Sequence, residues 1–305
     1  MRAWASRLTT LVVVTMAVAG FSAAPAGATW SLVAADETTG EVGAAIASCI
    51  DPAVLSDPAD PLMLLVLEPG ELAAVTQAQL NLEATGRIRQ LHAGGLDPAA
   101  ILADITSPGF DELASQRQHA IVSLVTAPDQ DPVVAFTGDD TLADTGDAQG
   151  ILVSVQGNLM ASDTVVDESL VAFETARSDG GSLADALVAG LKAGADEGGD
   201  RRCGAQTARF AHVAVVGGVN EEVADSQLSA STMVLSVLVS EDGGNPVDEL
   251  ANAHEAGATG VIDQRIRSNE HMIIQVVTLV AGAAIAIAGL IFLRRGMGSV
   301  KARAR

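Results

Sequence analysis

The sequence predicts an α+β fold in which sheets are faced by helical layers. Strand-like runs alternate with segments of helical periodicity, and the helical segments come in pairs. Pairing of the helices argues against a Rossmann-type winding, in which a helix follows each strand. Hydrophobic residues make up 49% of the chain but aromatic residues only 3%, so the core must be aliphatic.

The pattern begins with a β-hairpin over residues 29–48. Trp30 and Leu32 alternate with Ser31 and Val33, and a turn follows in which Gly40 is free to adopt a positive φ. Small apolar residues then form the returning strand. Further strands are predicted over 62–67, 119–126, 133–136, 151–155, 208–216 and 233–239.

The helices are predicted from periodicity and capping residues. Residues 72–91 are rich in Ala, Gln, Leu and Arg, and Gly94-Gly95 would end that helix. Asp97 and Pro98 open a second helix, and Ser182, with Asp185 three residues later, opens another. The remaining helices are predicted over 163–177 and 246–256, with an acidic loop over 138–150.

The first 28 residues have the layout of a secretory signal peptide. Arg2 and Arg7 form a basic start, residues 11–21 are apolar but too short to span a bilayer, and Ala26-x-Ala28 is a cleavage site. Ser22-Ala23-Ala24 is a competing cleavage site, and an uncleaved anchor is the alternative. Cleavage after Ala28 would make Thr29 the first residue of the mature protein.

The C-terminal end predicts a single membrane anchor. After a polar linker over 257–271, residues 272–293 contain no charged residue and are long enough to cross the membrane. The basic tail 294–305 should stay cytoplasmic. The alternative is a buried core helix, to which uniform apolarity ending in an Arg pair is poorly suited. We therefore expect a single-pass protein of the cell membrane whose domain, residues 29–256, is extracytoplasmic.

The charge distribution excludes some partners and cofactors. All 38 Asp and Glu residues lie between Thr29 and Met272, and the chain carries a formal net charge of −21. Such an acidic body would repel nucleic acid and anionic lipid surfaces. The acidic residues of the predicted loop lack the spacing of a calcium site, and no glycine-rich phosphate loop follows a strand. No metal or cofactor is predicted.

Thr29 is the residue with the clearest chemical potential. A threonine at a free N-terminus carries a hydroxyl nucleophile and an amine that can act as its base. An α-amine has an ordinary pKa near 8, close enough to neutrality for proton transfer. The alternative is that Thr29 merely begins a strand.

Ordered blocks along the chain resemble the family called domain of unknown function 1028, which is grouped with the Ntn (N-terminal nucleophile) hydrolases. The match runs from Thr29 to about His254. The blocks are Thr29-Trp30-Ser31-Leu32-Val33-Ala34-Ala35-Asp36, Thr39-Gly40-Glu41-Val42-Gly43, Ala47-Ser48-Cys49, Thr76-Gln77-Ala78 with Asn81, Gln116-Arg117-Gln118, Ala135-Phe136-Thr137-Gly138, Val155-Gln156-Gly157-Asn158-Leu159-Met160, and Gly198-Gly199-Asp200-Arg201-Arg202 with Gln206.

The resemblance implies an Ntn-type αββα sandwich and a threonine that processing exposes. It implies an amidohydrolase acting on a small amide or peptide-like substrate. The chain departs from the family pattern at 51–69, 82–85 and 139–147, changes that could alter or close the pocket. A catalytically inactive binding or structural module on the same fold is the alternative. The sequence leaves the substrate and the oligomeric state open, a homo-oligomer included.

Other polar residues of these blocks are candidates for the same site. Asn158 could donate to an oxyanion or substrate, or could simply be a turn residue. Ser48 could assist the N-terminal amine, or simply end a strand. Asp200 and Arg201, followed by Arg202, could orient the amine or bind a carboxylate, or could form a surface ion pair. Gln77 of the Thr76-Gln77-Ala78 block is assigned to substrate binding.

Cys49 and Cys203 are the two cysteines of the chain, and both lie in the predicted extracytoplasmic domain. A disulfide between them is therefore expected. It would join the second strand to the segment that carries Asp200. The alternatives are two free buried thiols, or a catalytic Cys49 with a histidine base, for which no recognisable partner motif exists.

Overall fold

The computed structural model of the chain describes residues 29–51, 63–217, 233–240 and 242–264, and the backbone of 276–277. The predicted signal peptide lies outside these residues, as does the predicted membrane segment apart from Val276–Val277, which form a two-residue strand. Within the described part of the chain, no helix is both long and apolar enough to cross a membrane. The signal peptide and the anchor remain predictions.

The described residues form twelve strands and five α-helices. The strands are β1 (Thr29–Asp36), β2 (Glu41–Ser48), β3 (Leu65–Glu68), β4 (Leu72–Ala78), β5 (Arg117–Ser123), β6 (Val133–Thr137), β7 (Gly146–Gly150), β8 (Val153–Asn158), β9 (Phe210–Val216), β10 (Met233–Leu238), β11 (Gly260–Asp263) and β12 (Val276–Val277). The helices are α1 (Leu82–Ala93), α2 (Pro98–Ile105), α3 (Val165–Ser178), α4 (Leu183–Asp196) and α5 (Pro246–Glu255).

The strands form two sheets that pack face to face. The larger sheet has the strand order β12-β11-β10-β9-β2-β1-β8-β7, and the smaller sheet has the order β3-β4-β5-β6. Helices α3, α4 and α5 cover the outer face of the larger sheet, while α1 and α2 cover the outer face of the smaller one. The layers therefore run helices, sheet, sheet, helices, and the predicted α+β class is confirmed.

The hairpin of β1 and β2 lies at the centre of the larger sheet. Trp30 and Leu32 point into the core beneath α3 and α4, whereas Val33 points into the core between the sheets. The Trp30 indole N–H donates to Leu191 O of α4 at 3.2 Å. A Cβ atom at Gly194 of α4 would lie only 2.7 Å from that indole nitrogen, so a glycine is needed there for the helix to approach Trp30.

Several local signals in the sequence produce the expected structure. Gly40 has a φ of 69° in the β1–β2 turn. The Asp97 side chain accepts from the Ala100 N–H at 2.9 Å at the start of α2. At the start of α4, Ser182 and Asp185 form a reciprocal capping box. These motifs depend on neighbouring residues alone, which is why they can be recognised in the sequence.

Residues 72–91 do not form the single helix that their composition predicts. Residues 72–78 are β4, and the helix begins only at Leu82, where Asn81 caps it by accepting from the Glu83 N–H at 3.1 Å. Every residue of β4 is buried, because the strand pairs on both sides and lies between α1, α2 and the larger sheet. Burial on both faces overrides helix propensity here.

Two other strands lie where the sequence predicts irregular structure. β7 occupies the end of the predicted acidic loop 138–150 and forms the edge of the larger sheet beside β8. β11 lies in the predicted linker and pairs in parallel with β10. Both are short and have no fully buried residue, so they carry little hydrophobic pattern.

We expect the fold to lose stability as the pH falls below about 6.5, because two histidines are buried. Burial lowers the pKa of His119 and of His212 to about 4. The unfolded chain binds protons at these residues before the folded chain does, so each histidine destabilises the fold between pH 6.5 and 4, by up to about 3 kcal/mol. Asp36, Asp104, Asp111 and Asp185, whose pKa values are lowered, add a further loss below pH 4.

Urea unfolding between pH 8 and pH 4 tests this prediction by measuring the unfolding free energy at each pH. His119→Gln and His212→Gln should each flatten the dependence of the unfolding free energy on pH in that interval, whatever their effect at pH 8. An unchanged slope in both variants would contradict the assignment to these histidines.

Candidate active site at the start of the first strand

Thr29 is the first residue of β1, and each neighbouring strand places a polar residue beside it. Its register partners are Ser48 of β2 and Asn158 of β8. The Thr29 hydroxyl donates to Ser48 Oγ at 3.2 Å, and Ser48 Oγ also accepts from the Ile50 N–H at 3.2 Å. The fold thus brings together the three residues that the sequence suggests for catalysis.

Two amide side chains converge on the backbone carbonyl of Thr29. Gln77 Nε2, which comes from the smaller sheet, lies 3.5 Å from Thr29 O, and Asn158 Nδ2 lies 3.4 Å from it. Thr29, Gln77 and Asn158 are each at most 2% exposed in the complete chain. The site therefore lies between the two sheets.

Gln118 of β5 fixes the orientation of both amides. Its Nε2 donates to two backbone carbonyls of the larger sheet, Gly157 O at 3.0 Å and Gly146 O at 3.3 Å. Carbonyl oxygens can only accept, so Gln118 Oε1 must point the other way. There it accepts from Gln77 Nε2 and from Asn158 Nδ2, each at 3.0 Å. The NH₂ groups of both amides are thereby directed toward Gln118 and Thr29.

The acceptor oxygens of the two amides have different surroundings. Gln77 Oε1 accepts from the Ser31 hydroxyl at 2.7 Å. Asn158 Oδ1 is buried and has no hydrogen-bond partner within the described part of the chain. The network is therefore complete except for one acceptor beside Thr29.

Residues with left-handed backbone follow two of these amides. Ala78, directly after Gln77, has a φ of 70°, and Leu159, directly after Asn158, has a φ of 53°. Non-glycine residues adopt this conformation at a cost and commonly do so at functional sites. Backbone hydrogen bonds hold Leu159 there, from its N–H to Ala143 O at 2.8 Å and from the Arg201 N–H to its carbonyl at 3.1 Å.

The two cysteines form a disulfide next to Ser48, as the sequence predicts. Cys49 and Cys203 are bonded, with their Cα atoms 5.7 Å apart. Cys49 therefore has no thiol to act as a nucleophile. The fully buried Asp200 supports the same junction, since its Oδ2 accepts from the Cys49 N–H at 2.7 Å and its carbonyl accepts from the Cys203 N–H at 3.0 Å.

Asp200 and Arg201 occupy different environments. Asp200 is paired with Arg202, whose Nη2 lies 2.7 Å from Asp200 Oδ2. Arg201 is about half exposed, forms an ion pair with Asp144, and lines a cavity of about 440 Å³. The polar residues around that cavity include Asp144, Thr145, Asp147, Asp163, Asp167 and Arg201. Arg201 therefore belongs to this acidic cavity.

A buried ion pair holds the start of β5, which carries Gln118. Arg117 Nε lies 2.9 Å from Asp111 Oδ2, and Asn81 Nδ2 donates to the same carboxylate oxygen at 2.7 Å. Hydrogen bonds from Arg117, Asn81 and the Leu113 N–H outweigh the effect of burial and lower the pKa of Asp111. The ion pair thereby fixes the strand end from which Gln118 reaches the larger sheet.

The described residues contain no group of three or more His, Cys, Asp or Glu arranged to hold a metal ion. The candidate site consists of hydroxyls and amides, which are hydrogen-bonding groups.

A family comparison covers the strands that build this site. The model of a family of unknown function, DUF1028, matches residues 29–250. The chain belongs to the DUF1028 family. The crystal structure of a protein from Silicibacter pomeroyi assigned to DUF1028 is similar, with a TM-score of 0.57 and 18% sequence identity over 76% of this chain and 90% of that one. No curated protein matches the chain.

The family blocks come together in the fold of this DUF1028 protein. β4 and β5 place Gln77 directly opposite Gln118, and Asn158 faces them from the larger sheet. Sequence reasoning missed Gln118 and Ser31 as members of the site, although both lie in the family blocks. The alternation of side chains along β5 could have identified Gln118. It lies on the same face of the strand as Ala120 and Val122, which point between the sheets.

We expect the disulfide to contribute strongly to stability, because it closes a loop across 154 residues. Cys49→Ser with Cys203→Ser should lower the unfolding free energy by about 2–5 kcal/mol. Denaturant unfolding measures this difference. Reducing agent should destabilise the wild type by a similar amount and leave the double variant unchanged. Equal stability of wild type and double variant would contradict the prediction.

Proposed function

We propose that this DUF1028 protein is an N-terminal-nucleophile amidohydrolase whose nucleophile is Thr29. The observation that carries the proposal is the convergence of Ser48, Asn158 and Gln77 on the first residue of the central strand. The layer order of helices, sheet, sheet and helices supports an Ntn-type αββα sandwich. The proposed substrate is a small amide or peptide-like compound.

The proposed reaction uses two groups of Thr29. Its Oγ1 attacks the amide carbonyl, and its α-amine takes the hydroxyl proton and passes it to the leaving amine as the C–N bond breaks. Water then hydrolyses the resulting ester and regenerates Thr29. Ser48 Oγ, 3.2 Å from Thr29 Oγ1, can relay a proton or hold the hydroxyl in place.

An oxyanion donor is available without rebuilding the site. Asn158 Nδ2 and Gln77 Nε2 lie 3.4 and 3.5 Å from Thr29 O, which are long contacts. Each NH₂ group keeps one hydrogen on Gln118 Oε1 at 3.0 Å, so its other hydrogen can serve a substrate oxygen with the loss of only the weak contact to Thr29 O. Asp200 would act indirectly, because it holds the end of β2 that carries Ser48.

Processing is required for this chemistry, because in the complete chain the Thr29 nitrogen is joined to Ala28 by a peptide bond. Signal-peptide removal after Ala28 would free the amine and can only increase the exposure of Thr29. The disulfide supports export, since such bonds persist mainly in oxidising compartments. We therefore propose an extracytoplasmic domain held at the cell membrane by residues 272–293.

Burial of the site favours a second candidate, an inactive binding or structural module on the same fold. Thr29 is 2% exposed and Ser48 and Asn158 are fully buried in the complete chain. A module of this kind would use the buried network only to join the sheets. The two candidates differ in whether the processed Thr29 reacts with an electrophile.

Mature protein from the expressing cell should begin at Thr29 and should react with a β-lactone probe through the Thr29 hydroxyl. Thr29→Ser should keep this labelling because it retains a hydroxyl, whereas Thr29→Ala should lose it. N-terminal sequencing and mass spectrometry of the first peptide measure both properties. Cleavage after Ala24 would contradict the catalytic proposal, and a Thr29 terminus that resists the probe would favour the inactive module.

We expect protease added outside intact cells to remove the acidic domain and leave only the anchor and tail. The reason is the predicted orientation, with the basic tail in the cytoplasm. Immunodetection with an antibody against the acidic domain, and of a tag at the C-terminus, measures the outcome. Protection of the domain in intact cells, with digestion after lysis, would reverse the orientation.

A further inference from the structure

Processing would change Thr29 as a hydrogen-bonding group. In the complete chain its nitrogen belongs to a peptide and has one N–H, whereas a free α-ammonium group has three N–H donors. The mature site therefore gains donors at the position where β1 begins. A buried donor without an acceptor costs free energy, so the site needs an acceptor for the new amine.

An acceptor without a partner is present at this position. Asn158 is fully buried, its Oδ1 has no hydrogen-bond partner within the described residues, and it is the register partner of Thr29. Its Nδ2 lies 3.4 Å from Thr29 O, so the Asn158 amide is beside the Thr29 backbone. The Thr29 α-nitrogen and the Thr29 carbonyl carbon are both bonded to the same Cα atom, so the two groups are neighbours.

The orientation of the Asn158 amide is fixed by its surroundings. Turning the amide over would place Oδ1 against Gln118 Oε1, which now accepts from Asn158 Nδ2 at 3.0 Å. Gln118 cannot turn over in compensation, because its Nε2 serves the carbonyls of Gly146 and Gly157. Asn158 therefore presents an acceptor, and not a donor, through its remaining atom.

We propose that Asn158 Oδ1, oriented by Gln118, accepts a hydrogen bond from the α-amine that processing frees on Thr29. In this role Asn158 and Gln118 are positioning residues. Asn158 holds the amine so that its lone pair, once deprotonated, is directed to the Thr29 hydroxyl, and Gln118 holds Asn158. This inference rests on the part of the proposed function that exposes Thr29, and it does not require that a substrate be known.

Other titratable and charged groups lie on the elements packed around Thr29, and they are the same in every variant compared below. Buried His212, on β9, faces the space between the sheets and has its Nδ1 2.6 Å from Ser236 Oγ. Ion pairs near this end of the sheets are Asp200 with Arg202 at 2.7 Å, Asp111 with Arg117 at 2.9 Å, Asp51 with Arg209 at 3.7 Å, and Arg201 with Asp144. Asp147, on β7, accepts from the Thr137 hydroxyl at 2.8 Å.

The test is the pKa of the Thr29 α-amine in the mature, processed protein. It is obtained from the pH dependence of acetylation by acetic anhydride, with the N-terminal peptide quantified by mass spectrometry. Asn158→Asp keeps the acceptor and adds a negative charge, so the amine pKa should rise by about one or more. Asn158→Leu removes the acceptor and should lower it, and Gln118→Met should lower it by freeing the Asn158 amide.

Gln156→Glu is the matched control for the charge. It makes the same replacement of NH₂ by oxygen on the same face of β8, but opposite Ser31 and two residues farther from the amine. Its Oε1 also lacks a partner within the described part of the chain. The rise in amine pKa should be clearly smaller than with Asn158→Asp.

The outcomes separate this inference from the proposed function. Equal effects of Asn158→Asp and Gln156→Glu, or no fall in the amine pKa with Asn158→Leu, would overturn the acceptor assignment even if the β-lactone probe labels Thr29. The expected pattern of amine pKa values in a protein that the probe does not label would support the acceptor and count against the hydrolase. Circular dichroism confirms that each variant is folded, and Asn158→Leu tests the proposal if the charged variants do not fold.

Discussion

The donation of Gln118 Nε2 to two backbone carbonyls of the opposite sheet is the interaction on which the candidate site depends. Elsewhere the sheets meet mainly through apolar side chains, whose contacts have no direction. At this end they meet through amides, for which direction is decisive, because a buried polar atom without a partner is costly. Gln118 fixes the orientation of Gln77 and Asn158, whose NH₂ groups in turn contact the carbonyl of Thr29.

The opposite face of β1 makes such a network possible. Trp30 is fully buried beneath α4, with its indole N–H on Leu191 O and with Gly194 and Gly199 packed close to its ring. The strand is therefore held by its apolar face, so the polar face can be used for chemistry. The alternation in Thr29-Trp30-Ser31-Leu32 expresses this division, with Thr29 and Ser31 between the sheets and Trp30 and Leu32 under the helices.

Elements of the fold could be predicted where the sequence signal depends on neighbouring residues alone. The turn at Gly40 and the caps at Asp97 and Ser182 are determined by adjacent residues, and they were predicted correctly. β4 was not, because its Ala- and Gln-containing sequence becomes a strand only through burial by partners distant in the chain. β7 lacks buried apolar residues, so its pairing with β8 leaves no hydrophobic pattern.

The same distinction applies to the site. Thr29 could be found from a cleavage signal, and Asn158, Gln77 and Ser48 from family blocks and strand ends. Their convergence on one residue could not be predicted, since it depends on the register of β1 against two strands and on the packing of two sheets. Gln118 was missed because a glutamine in a strand has no chemical signature until the carbonyls that it binds are known.

Export would link the two covalent changes proposed for this end of the molecule. The disulfide of Cys49 fixes the residue next to Ser48, and cleavage after Ala28 frees the amine of Thr29. Both changes act on neighbouring strand ends, and both belong to the same route out of the cytoplasm. In the unexported chain the Thr29 nitrogen remains a peptide nitrogen, which cannot serve as a base. The site would therefore become chemically competent only in the compartment where the domain is proposed to work.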